Sequence, residues 1–224
     1  MADVNPNQDL RFKEIMKRLI PGAYFYVYVF ICSRLFILYK PDYEKTLARV
    51  MEGLDGAVQL ALWIMIAYIS GFVFNSLASI VERMLYYCGL NRPSKKVLTK
   101  NGKHWLEDAE KVINDSCVNL SNGRVCQKQA KQILAFAKNH ISRKDNLVEE
   151  MYYHSIMARN ILLGHILAFG ATLYATPLVQ KNTFFFLMSI ILFVIYYSEW
   201  RRKNIIYVRN IFVEYLAEHN SKQN

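Results

Sequence analysis

Two kinds of residue in this chain could do chemistry: cations gathered in runs, and lone polar side chains set into apolar segments. The cations form two clusters, Arg92, Lys95, Lys96, Lys100 and Lys103, then Arg124, Lys128, Lys131, Lys138, Arg143 and Lys144. From Ile80 through Arg159 there are fourteen Lys and Arg against eight Asp and Glu, a local excess of six positive charges. Cations at this density neutralise phosphates, so a polyanion such as an oligonucleotide is one fit. Anionic lipid headgroups are the other, and they compete at least equally for the first cluster, which closely follows an apolar segment. The second cluster is further from apolar sequence and is the better ligand candidate.

Gly71, Asn75 and Ser79 recur at helical spacing, with Ala78 beside them, and make a small, polar face on an otherwise bulky segment. Such a face lets helices approach closely and lets Asn hydrogen-bond between them. In an assembly of several copies the same face would line a wet pore. His165 lies near the start of another apolar segment, beside a stripe of Gly164, Ala168, Ala171, Thr172 and Ala175. An ionisable group there is a proton or gating element, or else a hydrogen-bonded packing residue. Gly71, Asn75, Ser79 and His165 are therefore the pore candidates.

Catalytic patterns are missing. No Gly-rich phosphate loop, zinc-type spacing or nucleophile elbow occurs. The histidines at 104, 140, 154, 165 and 219 are scattered, and Cys117 and Cys126 lack a second Cys or His pair. Glu149, Glu150 and His154 can share a helical face, which alone is a weak metal signature. The reading is a non-enzyme with no catalytic residue, no metal and no cofactor.

Four apolar segments must position these groups: Ile20–Tyr39, Ala57–Ile80, Ile161–Val179 and Asn182–Tyr197. Each approaches the ~20 residues that carry a helix across ~30 Å of hydrocarbon. The mean hydropathy of +0.07 conceals them because charged stretches dilute the average. Lys181 is the one cation between Arg159 and Glu199, so the turn between the last two spans reads as external. Both termini and the middle segment are then cytoplasmic. A signal peptide fits the first segment poorly, since the run is long and aromatic and Tyr39-Lys40-Pro41-Asp42 lacks a small-residue cleavage pattern. A soluble helical protein with buried helices fits the widely spaced runs, with their aromatic and basic ends, less well. The expected class is all-α: a polytopic membrane protein with four transmembrane helices and a small cytosolic helical insert.

The expected organisation follows the charge. Residues 1–20 form a cytosolic amphipathic helix, with Phe12, Ile15, Met16, Leu19 and Ile20 opposite Arg11, Lys13, Glu14, Lys17 and Arg18. Pro21-Gly22 breaks or bends the chain before the first two spans in 21–80. The cytosolic domain, 81–158, has helices at His104–Leu120 and Arg124–Ile141, and a third from Ser142 that runs unbroken into the spans of 159–198. Residues 199–224 form a further amphipathic helix, which docks on the cytosolic domain or packs against its copies.

Several short motifs carry a resemblance: Phe12-Lys13-Glu14-Ile15 with Ile20-Pro21-Gly22, Tyr68-Ile69-Ser70-Gly71, and Ile80-Val81-Glu82-Arg83. Asn91-Arg92-Pro93-Ser94-Lys95-Lys96, Met157-Ala158-Arg159-Asn160 and Tyr207-Val208-Arg209-Asn210 extend it over most of the chain. With this layout the chain resembles small bacterial four-span membrane proteins used as anti-phage defence effectors. It is similar in particular to the channel-forming effectors of Hailong systems. The resemblance implies a homo-oligomeric channel in the bacterial inner (plasma) membrane. It also implies gating by oligodeoxyadenylate or another nucleotide made by a partner nucleotidyltransferase, and it transfers no ligand residue. A non-conducting membrane anchor that recruits a soluble partner is the alternative.

Overall fold

The computed structural model describes residues 6–36, 55–99, 105–106, 108–118, 125–141, 146–175 and 183–223. Every regular element among them is a helix: α1 (Pro6–Phe36), α2 (Gly56–Tyr87), α3 (Pro93–Leu98), α4 (Ala109–Asp115), α5 (Gln127–His140), α6 (Asn146–Ala175) and α7 (Thr183–Gln223). Three stretches are long and apolar enough to cross a membrane, Gly56–Tyr87, Leu147–Tyr174 and Thr183–Ser221. Much of their apolar surface is uncovered: Ile69, Phe72, Ile190 and Val194 are all more than half exposed. Water would penalise so large an apolar surface, whereas hydrocarbon would not.

The described residues belong to two compact units, 1–79 with 156–198 and 80–155 with 199–224. In the first, α1 runs without interruption through Pro21, so the expected break at Pro21-Gly22 does not occur. Proline has no N–H to give the carbonyl four residues earlier, here Lys17. Asn160 Nδ2 of α6 donates to that oxygen instead, at 3.5 Å. Gly22 and Gly71 bring α1 and α2 together: a methyl on Gly22 would overlap the Ala67 carbonyl, and one on Gly71 the Arg18 carbonyl. The pairs Arg18/Gly71 and Gly22/Ala67 run in opposite directions, and the rings of Tyr26 and Trp63 meet one turn further on at 6.0 Å. The two helices are antiparallel, and at the two glycines their backbones come into direct contact. Tertiary contact therefore carries the helix across its proline.

The amphipathic start of α1 keeps Phe12 and Ile15 exposed. Arg18, expected on the polar side, turns to α2, donating to Tyr68 Oη at 3.0 Å with its guanidinium 5.2 Å from the Phe72 ring centre. Glu14 accepts from Arg18 at 3.0 Å and pairs with Lys17 at 3.1 Å, and the Lys17 hydrogen bond and charge hold its carboxyl below the usual range.

The second unit has the clearest core. Val97, Val112, Ala130, Ile133 and Ala137 from α3, α4 and α5 meet Val208, Ile211, Phe212 and Leu216 of α7. Each of the Val, Ile, Leu and Phe side chains contributes roughly 1.5–3 kcal/mol by leaving water. The end of α7 thus docks on the helical insert, the first of the two expected roles. It is not a separate helix, because no Gly or Pro interrupts Thr183–Gln223. The expected helix His104–Leu120 is shorter than its apolar pattern: Trp105 and Leu106 are not helical, and Cys117 at φ 51° ends the turn after α4. The expected start at Arg124 moves to Gln127, where Cys126 caps α5. Its Sγ accepts from Gln129 N at 3.5 Å and its own N donates to Gln129 Oε1 at 2.8 Å. Ser142, Asp145, Lys181 and the Arg34 side chain lie outside the described residues.

Gly71→Ala should lower stability by about 1–3 kcal/mol, the usual range for overpacking, because the atom it meets belongs to a backbone. Gly170→Ala, where no atom lies within 4 Å, should be neutral or stabilising. Denaturation of both variants in detergent checks the contrast, and equal responses would refute the backbone contact.

Candidate functional site: buried polar groups and exposed cations

The apolar helices of the first unit carry two sets of hydrogen-bonded polar side chains. Asn75 of α2 is the hub of one. Its Oδ1 accepts from Arg159 Nη2 at 2.9 Å and from Asn160 Nδ2 at 3.3 Å. Asn160 is fully buried, and its own Oδ1 meets no donor among the described residues. Since Asn160 also reaches the Lys17 carbonyl, three helices converge on Asn75 and Asn160. A partly buried cation needs acceptors to offset lost hydration, and Asn75 supplies one to Arg159.

His165 is the hub of the other set, roughly 7.5 Å further along α6 at 1.5 Å per residue. It is 2% exposed. A carbonyl can only accept, so Nε2 carries the proton and donates to Ser189 O of α7 at 3.0 Å. Nδ1 then accepts from Tyr24 Oη of α1, also at 3.0 Å. The hydroxyls of Tyr28 and Ser189 share a hydrogen bond of 2.7 Å, and the Tyr28 and Tyr196 rings stand 5.1 and 5.7 Å from the imidazole. Neutral His165 is thus fixed in one tautomer and ties α1, α6 and α7 together. Protonation would turn Nδ1 from an acceptor into a donor and force Tyr24 to reverse its hydroxyl.

Each pore candidate has a definite place. Gly71 lies against the Arg18 backbone, Asn75 and His165 are the two hubs, and Ser79 Oγ donates to Asn75 O of its own helix at 2.9 Å. Gly164 and Ala168 are buried on α6, and Thr172 donates back to Ala168 O at 2.7 Å.

The cation candidates divide by exposure. Lys128 and Lys131 are exposed on the side of α5 opposite Ala130, Ile133 and Ala137. Lys138 is partly buried with its ammonium 4.9 Å from the Tyr207 ring centre, and burial lowers its pKa from the usual lysine value. Lys96 is exposed, while Arg92 and Lys95 are partly so. Lys100, Lys103, Arg124, Arg143 and Lys144 lie outside the described residues. His154 Nε2 is 3.4 Å from Glu150 Oε1, so that pair does meet on one helical face.

Arg18, Tyr24, Arg159 and Asn160 were not singled out by spacing, because each acts through a partner distant in sequence. Two signals were present: Pro21 stands four residues after Lys17, and Arg159-Asn160 opens an apolar segment. Asn75→Ala removes the acceptor shared by Arg159 and Asn160 and should cost about 1–3 kcal/mol. Asn75→Asp keeps an acceptor for Arg159 and should cost less, as detergent unfolding of the pair would reveal.

Comparison of the chain with protein-family models, with curated proteins and with solved structures finds no match.

Proposed function

We propose that this chain is the subunit of a homo-oligomeric membrane channel, controlled through its basic helical unit by a nucleotide or oligonucleotide, and that it serves in anti-phage defence. Four crossings, the first supplied by the later part of α1, hold it in a bacterial inner membrane with both termini cytoplasmic. The observation that supports conduction is the polar series of partly buried Asn75 and Arg159 and buried Asn160 and His165 inside helices with apolar outer faces. Ionisable and amide groups at such positions are costly and point to an ion path or its gate. Lys128 and Lys131 offer exposed charge for a polyanion at no expense to the core. The helices α2, α6 and α7 contribute residues to both units, so the chain of the basic unit continues into the apolar one without a break in helix.

A non-conducting anchor that recruits a soluble partner is the second reading. It is favoured by the use of Asn75 and His165 in contacts within one chain, which gives these groups a structural role without a pore.

Ion flux from liposomes separates the two. The channel reading expects flux that changes when oligodeoxyadenylate is added to the cytoplasmic face. Lys128→Glu with Lys131→Glu should abolish that response without loss of folding and reduce the salt dependence of binding by about one unit of slope per cation. Liposomes that stay sealed with and without the nucleotide would leave the anchor.

A further inference from the structure

Just beyond the apolar parts of α2 and α7, cations of the second unit gather around Tyr86. Arg201 is only 7% exposed; its Nη2 donates to the Asn91 carbonyl at 2.8 Å, while its buried Nη1 meets no acceptor among the described residues. The Arg92 guanidinium lies 4.8 Å from the centre of the Tyr86 ring. Lys96 begins the next turn, its backbone N–H donating to Arg92 O at 3.2 Å, and its side chain is exposed. Partial burial and then the charge of Arg201 lower its pKa from the usual lysine value.

The neighbouring carboxylates are already engaged. Glu82 Oε1 accepts from Tyr86 at 3.0 Å and from Asn204 at 3.3 Å. Glu199, two residues before Arg201, pairs with Arg202 at 2.8 Å. A guanidinium with an unmatched buried donor is costly, and its planar fork suits two oxygens of one phosphate. The position selects the source of that phosphate. Asn91 and Arg92 follow shortly after the exposed Tyr87, and Arg201 lies four residues after Tyr197. Aromatic residues of this kind mark the headgroup level of a bilayer, where basic pockets between helices take anionic lipids.

We infer that Arg201, Arg92 and Lys96 form a binding site for the phosphate of an anionic phospholipid headgroup. The site is independent of whether the protein conducts, and it differs from the exposed α5 face that the nucleotide reading uses.

Native mass spectrometry of the full chain, released from nanodiscs of mixed phosphatidylglycerol and phosphatidylcholine, tests it. The wild type should retain phosphatidylglycerol selectively, also in excess ATP. Lys96→Gln and Arg92→Gln should each reduce that retention roughly fivefold, and Arg201→Gln at least as much. Lys96 is exposed, so its variant keeps the test valid if Arg201→Gln does not fold. Undiminished retention in Lys96→Gln and Arg92→Gln would overturn the assignment. So would displacement of the lipid by ATP, which would make the site one for a soluble phosphate.

Discussion

The first unit depends on what happens around Pro21. Its missing N–H leaves the Lys17 carbonyl without its usual helical donor, and Asn160 takes that role from another helix. Five residues organise the surroundings. Gly22 and Gly71 let α1 lie backbone to backbone on α2, and Asn75, one turn beyond Gly71, gathers Arg159 and Asn160. The interhelical donor replaces the hydrogen bond that the proline cannot supply. The contact that allows a proline inside a long helix is thus also the contact that fixes three helices.

The second unit is held by different physics. Its core is a conventional aliphatic one, and its largest contribution comes from a distant stretch of sequence, the end of α7. An insert of three short helices buries little apolar surface alone. Val208, Ile211, Phe212 and Leu216 supply the missing wall. The same helix that leaves the apolar unit therefore completes the core of the other.

Much of the helical class was legible from the sequence, because the 3.6-residue period of the apolar residues and the long uncharged runs are local properties. The three stretches in α2, α6 and α7 are of that kind. What was not legible depends on tertiary partners. Pro21 reads as a break until Asn160 and Gly71 are seen around it. Trp105 and Leu106 fit the period of a helix, yet Leu106 donates its N–H to Val97 O at 3.1 Å and stays outside one. Cys126 is not a residue that spacing suggests as a cap, and Gln129 is needed to make it one. At the candidate site, His165 and Asn75 stood out as polar groups in apolar sequence. Their partners Tyr24, Ser189 and Arg159 are distant in sequence, so no spacing rule joins them.

The central claim is that copies of this chain assemble around an ion path. Electron cryomicroscopy of the full chain in lipid nanodiscs tests it most directly. The account predicts a symmetric ring with an axial opening bordered by the first unit. Single copies surrounded by lipid on every side, with no assembly under any nucleotide condition, would contradict it.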